Sequence, residues 1–136
     1  MRFLMLNGKS RFMSVEKSRI DWKKKSLSKF QKEVKDFLFP YWHKHIVYEE
    51  MRVVGTRLRL DFYNANKKIA IECDGAQHSK FNEFFHQGTR LNYWKQICRD
   101  DEKDKWCDLN QIVLVRIIPS DLPLTEDLFK RFGVTL

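Results

Sequence analysis

Residues 60–78, LDFYNANKKIAIECDGAQH, decide the fold. Two runs alternate apolar and polar residues around a short polar turn, which is the pattern of a β-hairpin. With Asn64 to Lys67 as the loop, Tyr63 faces Lys68, Asp61 faces Ala70 and Arg59 faces Glu72. Side chains alternate between the two faces of a strand. Leu58, Leu60, Phe62, Ile69, Ile71 and Cys73 therefore form a core face, and Arg59, Asp61, Tyr63, Lys68, Glu72 and Asp74 form the other. In this register Asp61 and Glu72 are diagonal neighbours, with Cα atoms about 7–8 Å apart. That spacing lets both carboxylates reach one cation. Mg²⁺ takes oxygen ligands, commonly one or two carboxylates, and completes its shell with water and substrate phosphate. The same alternation also suits a solvated face laced by ion pairs, Arg59 against Glu72 among them. The segment ECDGAQH shifts the balance. Asp74-Gly75 turns the chain, and His78 is carried back to the strand end where the acids lie.

Working outward, Leu27, Phe30, Val34, Phe37 and Leu38 recur at helical spacing after Ser26 and Ser28, and Pro40 is expected to end that helix. HIVYEEMRVV (45–54) reads as a strand that precedes the hairpin. A charged helix is expected from Tyr93 to Leu109. QIVLVRII (111–118) is a near-continuous apolar run, as expected of a strand covered on both faces. A short helix over TEDLFKRF (125–132) closes the chain. Residues 1–26 read as a basic arm or loosely packed lead-in, and 27–136 as a single domain.

The chain has 136 residues, 43% of them hydrophobic, enough for one core. Lys and Arg total 26 against 18 acids, a net charge of +8. That excess points to a polyanionic partner, nucleic acid before an anionic membrane. No apolar run approaches the roughly 20 residues that span a bilayer, and the start of the chain does not read as a secretory signal. Cys73, Cys98 and Cys107 lack the close pairs of a zinc site and are odd in number. A disulfide framework is not expected, and a reducing, cytoplasmic setting fits.

With Asp61 in LDFY and Glu72 in ECDGAQH, the segment resembles the PD-(D/E)xK (restriction-endonuclease-like) nuclease superfamily. It is similar to small proteins with an E-x-D-G-x-x-H signature, to very-short-patch repair endonucleases and to related phage homing endonucleases. The likeness covers roughly residues 27–118. It implies an α/β fold with a restriction-endonuclease-like core, a mixed central sheet flanked by helices. It implies metal-dependent hydrolysis of DNA phosphodiesters, with Mg²⁺ (or Mn²⁺ in its place) held by Asp61, Glu72 and Asp74. Asp74 stands where the superfamily often has its lysine, so His78 is the expected group to orient or deprotonate the attacking water. Glu33 matches the helical glutamate that can complete such sites, with Glu49 and Glu50 as its competitors. Lys68 is a candidate for the displaced lysine. Arg59, Lys68, Arg99 and Lys103 are candidate phosphate contacts, the last two on a helix face that acids also crowd. The expected partner is double-stranded DNA, met as a homodimer or within a larger nuclease assembly. Two other readings stay open: a non-catalytic nucleic-acid-binding module of the same fold, and a subunit active only in an assembly.

Overall fold

A computed structural model describes residues 1–75 and 89–136, the side chains of 89–93 and 96 excepted. The elements in chain order are β1 (Arg2–Leu4), β2 (Ser10–Phe12), α1 (Lys29–Trp42), β3 (Val47–Arg52), β4 (Arg59–Asn64), β5 (Ile69–Cys73), α2 (Thr89–Leu109), β6 (Val113–Ile117) and α3 (Glu126–Arg131). Strands β3 to β6 form a mixed sheet in that spatial order, and β1 pairs with β2 separately. β3–β4 and β4–β5 are antiparallel, and β5–β6 is parallel. A parallel pair needs a crossover, and α2 lies on that connection. The architecture is mixed α/β.

The hairpin register differs from the expectation. Asn64 pairs with Ile69, Tyr63 with Ala70 and Phe62 with Ile71. The loop still has four residues, but it runs from Ala65 to Lys68. Asn64 is fully buried, and its Oδ1 accepts from Lys67 N at 3.0 Å, closing the turn from the strand side. Lys68 ends the turn in a left-handed conformation, φ 56°. Both ends move by one residue, so parity keeps Phe62, Ile69 and Ile71 on one face and Tyr63 and Ala70 on the other, but Leu58 and Leu60, expected beside Phe62, pack instead with Tyr63 and Ala70. The partners change: continuing the register sets Asp61 opposite Glu72, while Arg59 pairs with Arg52 of β3.

Both faces of the sheet are covered. On one, Phe62, Ile69, Ile71, Val115 and Ile117 pack with Val34, Leu38 and Trp42 of α1 and Phe129 of α3. On the other, Tyr63 and Ala70 pack with Trp106 and Cys107 of α2 and with Phe3. The hairpin face expected to be polar is therefore a second interior. β6 is an edge strand, and Val113 is 47% exposed. Its apolar run reflects cover above and below, not a central position. Pro40 lies inside α1 instead of ending it. Near a helix end a proline forfeits one hydrogen bond, and the buried indole of Trp42 holds the last turn. Among the described residues no helix is long and apolar enough to cross a membrane.

Residues 1–26 are docked onto the domain, not a loose arm. Phe3 packs against Trp106 with ring centroids 5.1 Å apart. Asn110 brackets Leu4, accepting from its N–H at 2.7 Å and donating to its carbonyl at 3.0 Å. Ile20 N donates to Val47 O at 3.0 Å. Lys35 of α1 is fully buried, and its Nζ donates to Lys24 O at 2.9 Å and to Glu49 Oε1 at 2.8 Å. One ammonium thus joins the lead-in, α1 and β3. Breaking a buried ion pair leaves its partner uncompensated, at a cost of roughly 3–5 kcal/mol. Lys35→Met keeps the aliphatic stem and removes the charge. It should lower the urea midpoint by the equivalent of about 3 kcal/mol with an unchanged m-value. A midpoint equal to the parent's would show that the ammonium is not what holds the lead-in.

Candidate active site

The site lies where the β4–β5 ladder ends, away from the turn. Past Phe62 and Ile71, Cys73 N donates to Asp61 Oδ2 at 2.7 Å. A carboxylate has taken the place of a strand carbonyl, which fixes the orientation of Asp61. Glu72 is 5% exposed, with Lys103 Nζ of α2 in ion-pair contact at 3.1 Å from its Oε1. That oxygen is buried and has no well-formed hydrogen bond among the described residues. Two desolvated carboxylates facing each other resist ionising together. Burial pushes the pKa of Asp61 above the usual carboxylate range. Burial first, and then the charge of Asp61, raises Glu72 to about 8. The Lys103 ammonium opposes both shifts.

Arg116 stands beside Glu72 in the parallel β5–β6 register. Its NH1 donates to Asp104 Oδ1 at 2.7 Å and its NH2 to Asp100 O at 3.0 Å. Its Nε lies 3.7 Å from Asp74 Oδ2. The guanidinium ties β6 to α2 and to the end of β5. It thereby holds the helix that presents Lys103, and it holds Asp74 at the border of the site.

A third carboxylate approaches from β3. Glu50 sits between the pairs Glu49–Phe62 and Met51–Leu60, in register with Asp61. Its backbone is left-handed, φ 55°, a conformation uncommon for a non-glycine residue and often found at functional sites. Burial raises its pKa; Gln31 opposes the shift and the charge of Asp61 adds to it. Gln31 Nε2 donates to Glu50 Oε1 at 3.0 Å and to Glu49 Oε2 at 3.1 Å.

The sequence candidates separate accordingly. Asp61 and Glu72 come together, with Asp74 at the border. Glu33 does not join them: it is exposed on α1, about 200° around the helix from Gln31. It is Gln31 that reaches the β3 acids. Lys68 is exposed in the hairpin turn, at the opposite end of the hairpin from Asp61, so it is not the lysine of the site. Lys103, expected as a phosphate contact, lies on Glu72 instead. Arg99 is exposed one turn before Lys103, and Arg59 is exposed on β4 near Glu50. His78 lies outside the described residues. Among the described residues no three or more His, Cys, Asp and Glu side chains cluster as a metal cage. Cys73 is no ready nucleophile, because burial and the neighbouring carboxylates raise its thiol far above the ordinary value. Arg116 and Gln31 were not singled out by the sequence reading. Arg116 carried a signal, a single charge inside an apolar strand, whereas Gln31 carried none.

No family model matches the chain, and no solved structure matches it. It is similar to three uncharacterized viral proteins. Protein 033L of Invertebrate iridescent virus 3 is 32% identical over 74 residues, 54% of this chain and 37% of that protein. Protein 094L of Frog virus 3 is 37% identical over 75 residues, 55% of this chain and 46% of that protein. Protein 307L of Invertebrate iridescent virus 6 is 33% identical over 60 residues, 44% of this chain and 30% of that protein. The chain thus spans less than half the length of these curated relatives.

Proposed function

We propose that this chain is a metal-dependent nuclease with a restriction-endonuclease-like core, cleaving the phosphodiester bonds of DNA. The observation that carries the reading is the Asp61–Glu72 pair, set face to face on adjacent strands beneath Lys103, in a chain of net charge +8. Such a pair is unfavourable without a cation. The buried Glu72 Oε1, ion-paired with Lys103 but without a well-formed hydrogen bond among the described residues, and the raised pKa values of both acids fit a divalent ion, and two carboxylates meet the protein share of many Mg²⁺ sites. When bound, such an ion supplies charge stabilisation to phosphoryl oxygens and lowers the pKa of a bound water.

The protein's own groups do the rest. Asp61, fixed by Cys73 N–H, and Glu72 would hold the cation. Lys103, an ammonium 3.1 Å from Glu72, would donate to a phosphoryl oxygen of the substrate at this site. Arg116 restrains α2 and Asp74. Arg99 and Arg59 provide exposed cations on either side. His78 retains its sequence-based role as the group that orients or deprotonates water.

The test is supercoiled plasmid incubated with the pure protein in Mg²⁺, in Mn²⁺ and in EDTA. Relaxed or linear product with either metal and none in EDTA is expected. A second reading, a nucleic-acid-binding module without catalysis, is favoured by one observation: Lys103 Nζ lies 3.1 Å from Glu72 Oε1, an ammonium in the place a cation would take. Plasmid bound but uncut in both metals would establish that reading in place of the first.

A further inference from the structure

We propose that the cleft between residues 17–27 and β3 is the track along which a nucleic-acid backbone reaches the Asp61–Glu72 pair, with Lys17, Arg19, Lys24 and Lys25 as its phosphate contacts. The inference rests on the nucleic-acid reading above and adds a surface to it. The cleft has a volume of about 350 Å³, and these four cations share its lining with Glu49 and Glu50. All four are exposed, and none forms an ion pair with a described residue. Asp21, also on the lining, is exposed and accepts from Lys23 N at 3.1 Å.

The floor does not cancel the rim. Glu49 is saturated: Ser26 Oγ donates to it at 2.6 Å, Gln31 at 3.1 Å and Lys35 at 2.8 Å. The buried Lys35 ammonium offsets one floor charge, and Gln31 also donates to Glu50. The remaining rim cations therefore have no internal use, and a backbone of regularly spaced phosphates is the partner their charge fits. Position links the cleft to the site, because Glu50 on its floor is in register with Asp61 on the next strand.

The wall is built to hold its place. Lys35 Nζ grips Lys24 O at 2.9 Å, Lys32 Nζ grips Trp22 O at 3.1 Å, and Arg19 bridges to Tyr48 of β3. These contacts use the backbone of the segment and leave its cationic side chains free for solvent or ligand. Such contacts position a polymer without reading its sequence.

The experiment measures binding of a labelled DNA duplex in EDTA by anisotropy, across a salt series, for three full-length proteins. One is the parent. One carries Lys17→Gln, Arg19→Gln, Lys24→Gln and Lys25→Gln. The control carries Lys44→Gln, Lys67→Gln, Lys130→Gln and Arg131→Gln, equal in charge and gathered around the hairpin turn, α3 and the end of α1. Each phosphate contact contributes about −0.9 to the slope of log affinity against log salt. The cleft variant should lose roughly 2–4 from that slope and at least about tenfold in affinity at low salt, while the control loses less than about 1. Equal losses in the two variants would overturn the cleft and leave the nucleic-acid reading standing. A parent that binds no duplex at low salt would overturn that reading, and the cleft with it. Melting temperatures check the fold. Should the fourfold variant melt early, Lys24→Gln with Lys25→Gln decides by the same criterion, with about half the loss of slope expected.

Discussion

Glu72→Gln should abolish metal-dependent cleavage and at the same time raise the melting temperature of the metal-free protein. The amide is nearly isosteric with the carboxylate, so packing against β6 and α2 is kept. What disappears is a charge that burial and Asp61 disfavour. The folded pKa of Glu72 is about 8, above its ordinary value. The folded state therefore retains a proton that the unfolded chain releases. Stability is full below the ordinary carboxylate pKa and is lost as pH rises towards 8. The glutamine escapes that loss. Its advantage should be under about 1 kcal/mol at pH 5 and on the order of 2–4 kcal/mol at pH 8, which is roughly 7–14 °C in melting temperature for a chain of this size. Cleavage of plasmid should fall at least about a thousandfold, because an amide is a poor substitute for an anionic ligand. Calorimetry at the two pH values and a plasmid assay check both halves. A variant that cuts at the parental rate would remove Glu72 from the site. A variant less stable than the parent at pH 8 would show that the carboxylate is better compensated than its surroundings indicate.

Lys103→Met is expected to have an effect of similar size by a different route. The ammonium is 3.1 Å from Glu72 and lowers the pKa of both acids. Without it, Glu72 should hold its proton to still higher pH. The stability difference between variant and parent should be small at pH 5, where Glu72 is protonated in both. It should widen to about 2 kcal/mol at pH 9, where the parent gains an ion pair that the variant lacks. Removing a fixed donor near developing charge typically lowers kcat by about 10²–10³-fold, and that loss is expected under saturating metal. Lys103→Arg should recover the stability but only part of the rate, since a planar fork cannot occupy the position of a compact ammonium. A pH-independent stability loss in the methionine variant would make Lys103 a packing residue.

How much of this was legible in the chain can be seen residue by residue. The division of the hairpin into two faces depends on parity, so near the turn it survived a displacement of one residue at each end, whereas Leu58 and Leu60, before Asp61, pack with the opposite cluster. The opposition of Asp61 and Glu72 was not legible, because it depends on Asn64 being the buried residue that closes the turn. Alternation alone cannot choose between two registers of the same parity. Helix α1 was read from its spacing, but its site contribution was assigned to Glu33 from the family resemblance. The helix turns Gln31 inward instead. Lys103 stood among acids on a helix that reads as solvated. Its partner comes from a strand on the other side of a long connection, and no local pattern encodes that meeting. The docking of residues 1–26 was hidden for the same reason: a few isolated residues such as Phe3 and Val15 carry it, without periodicity.

The parallel pairing of β5 with β6 sets an order of assembly. Asp61 and Glu72 belong to one hairpin, and chain connectivity alone brings them near each other. Lys103 and Arg116 arrive only when the crossover through α2 has closed and β6 has found its place beside β5. Contacts between distant parts of a chain are slow to form, because the closure entropy is spent before they return any energy. The two acids are therefore expected to meet before their cations do. Closure of the crossover then changes the electrostatic character of the site, from a pair of repelling acids on one hairpin to a buried pair under an ammonium.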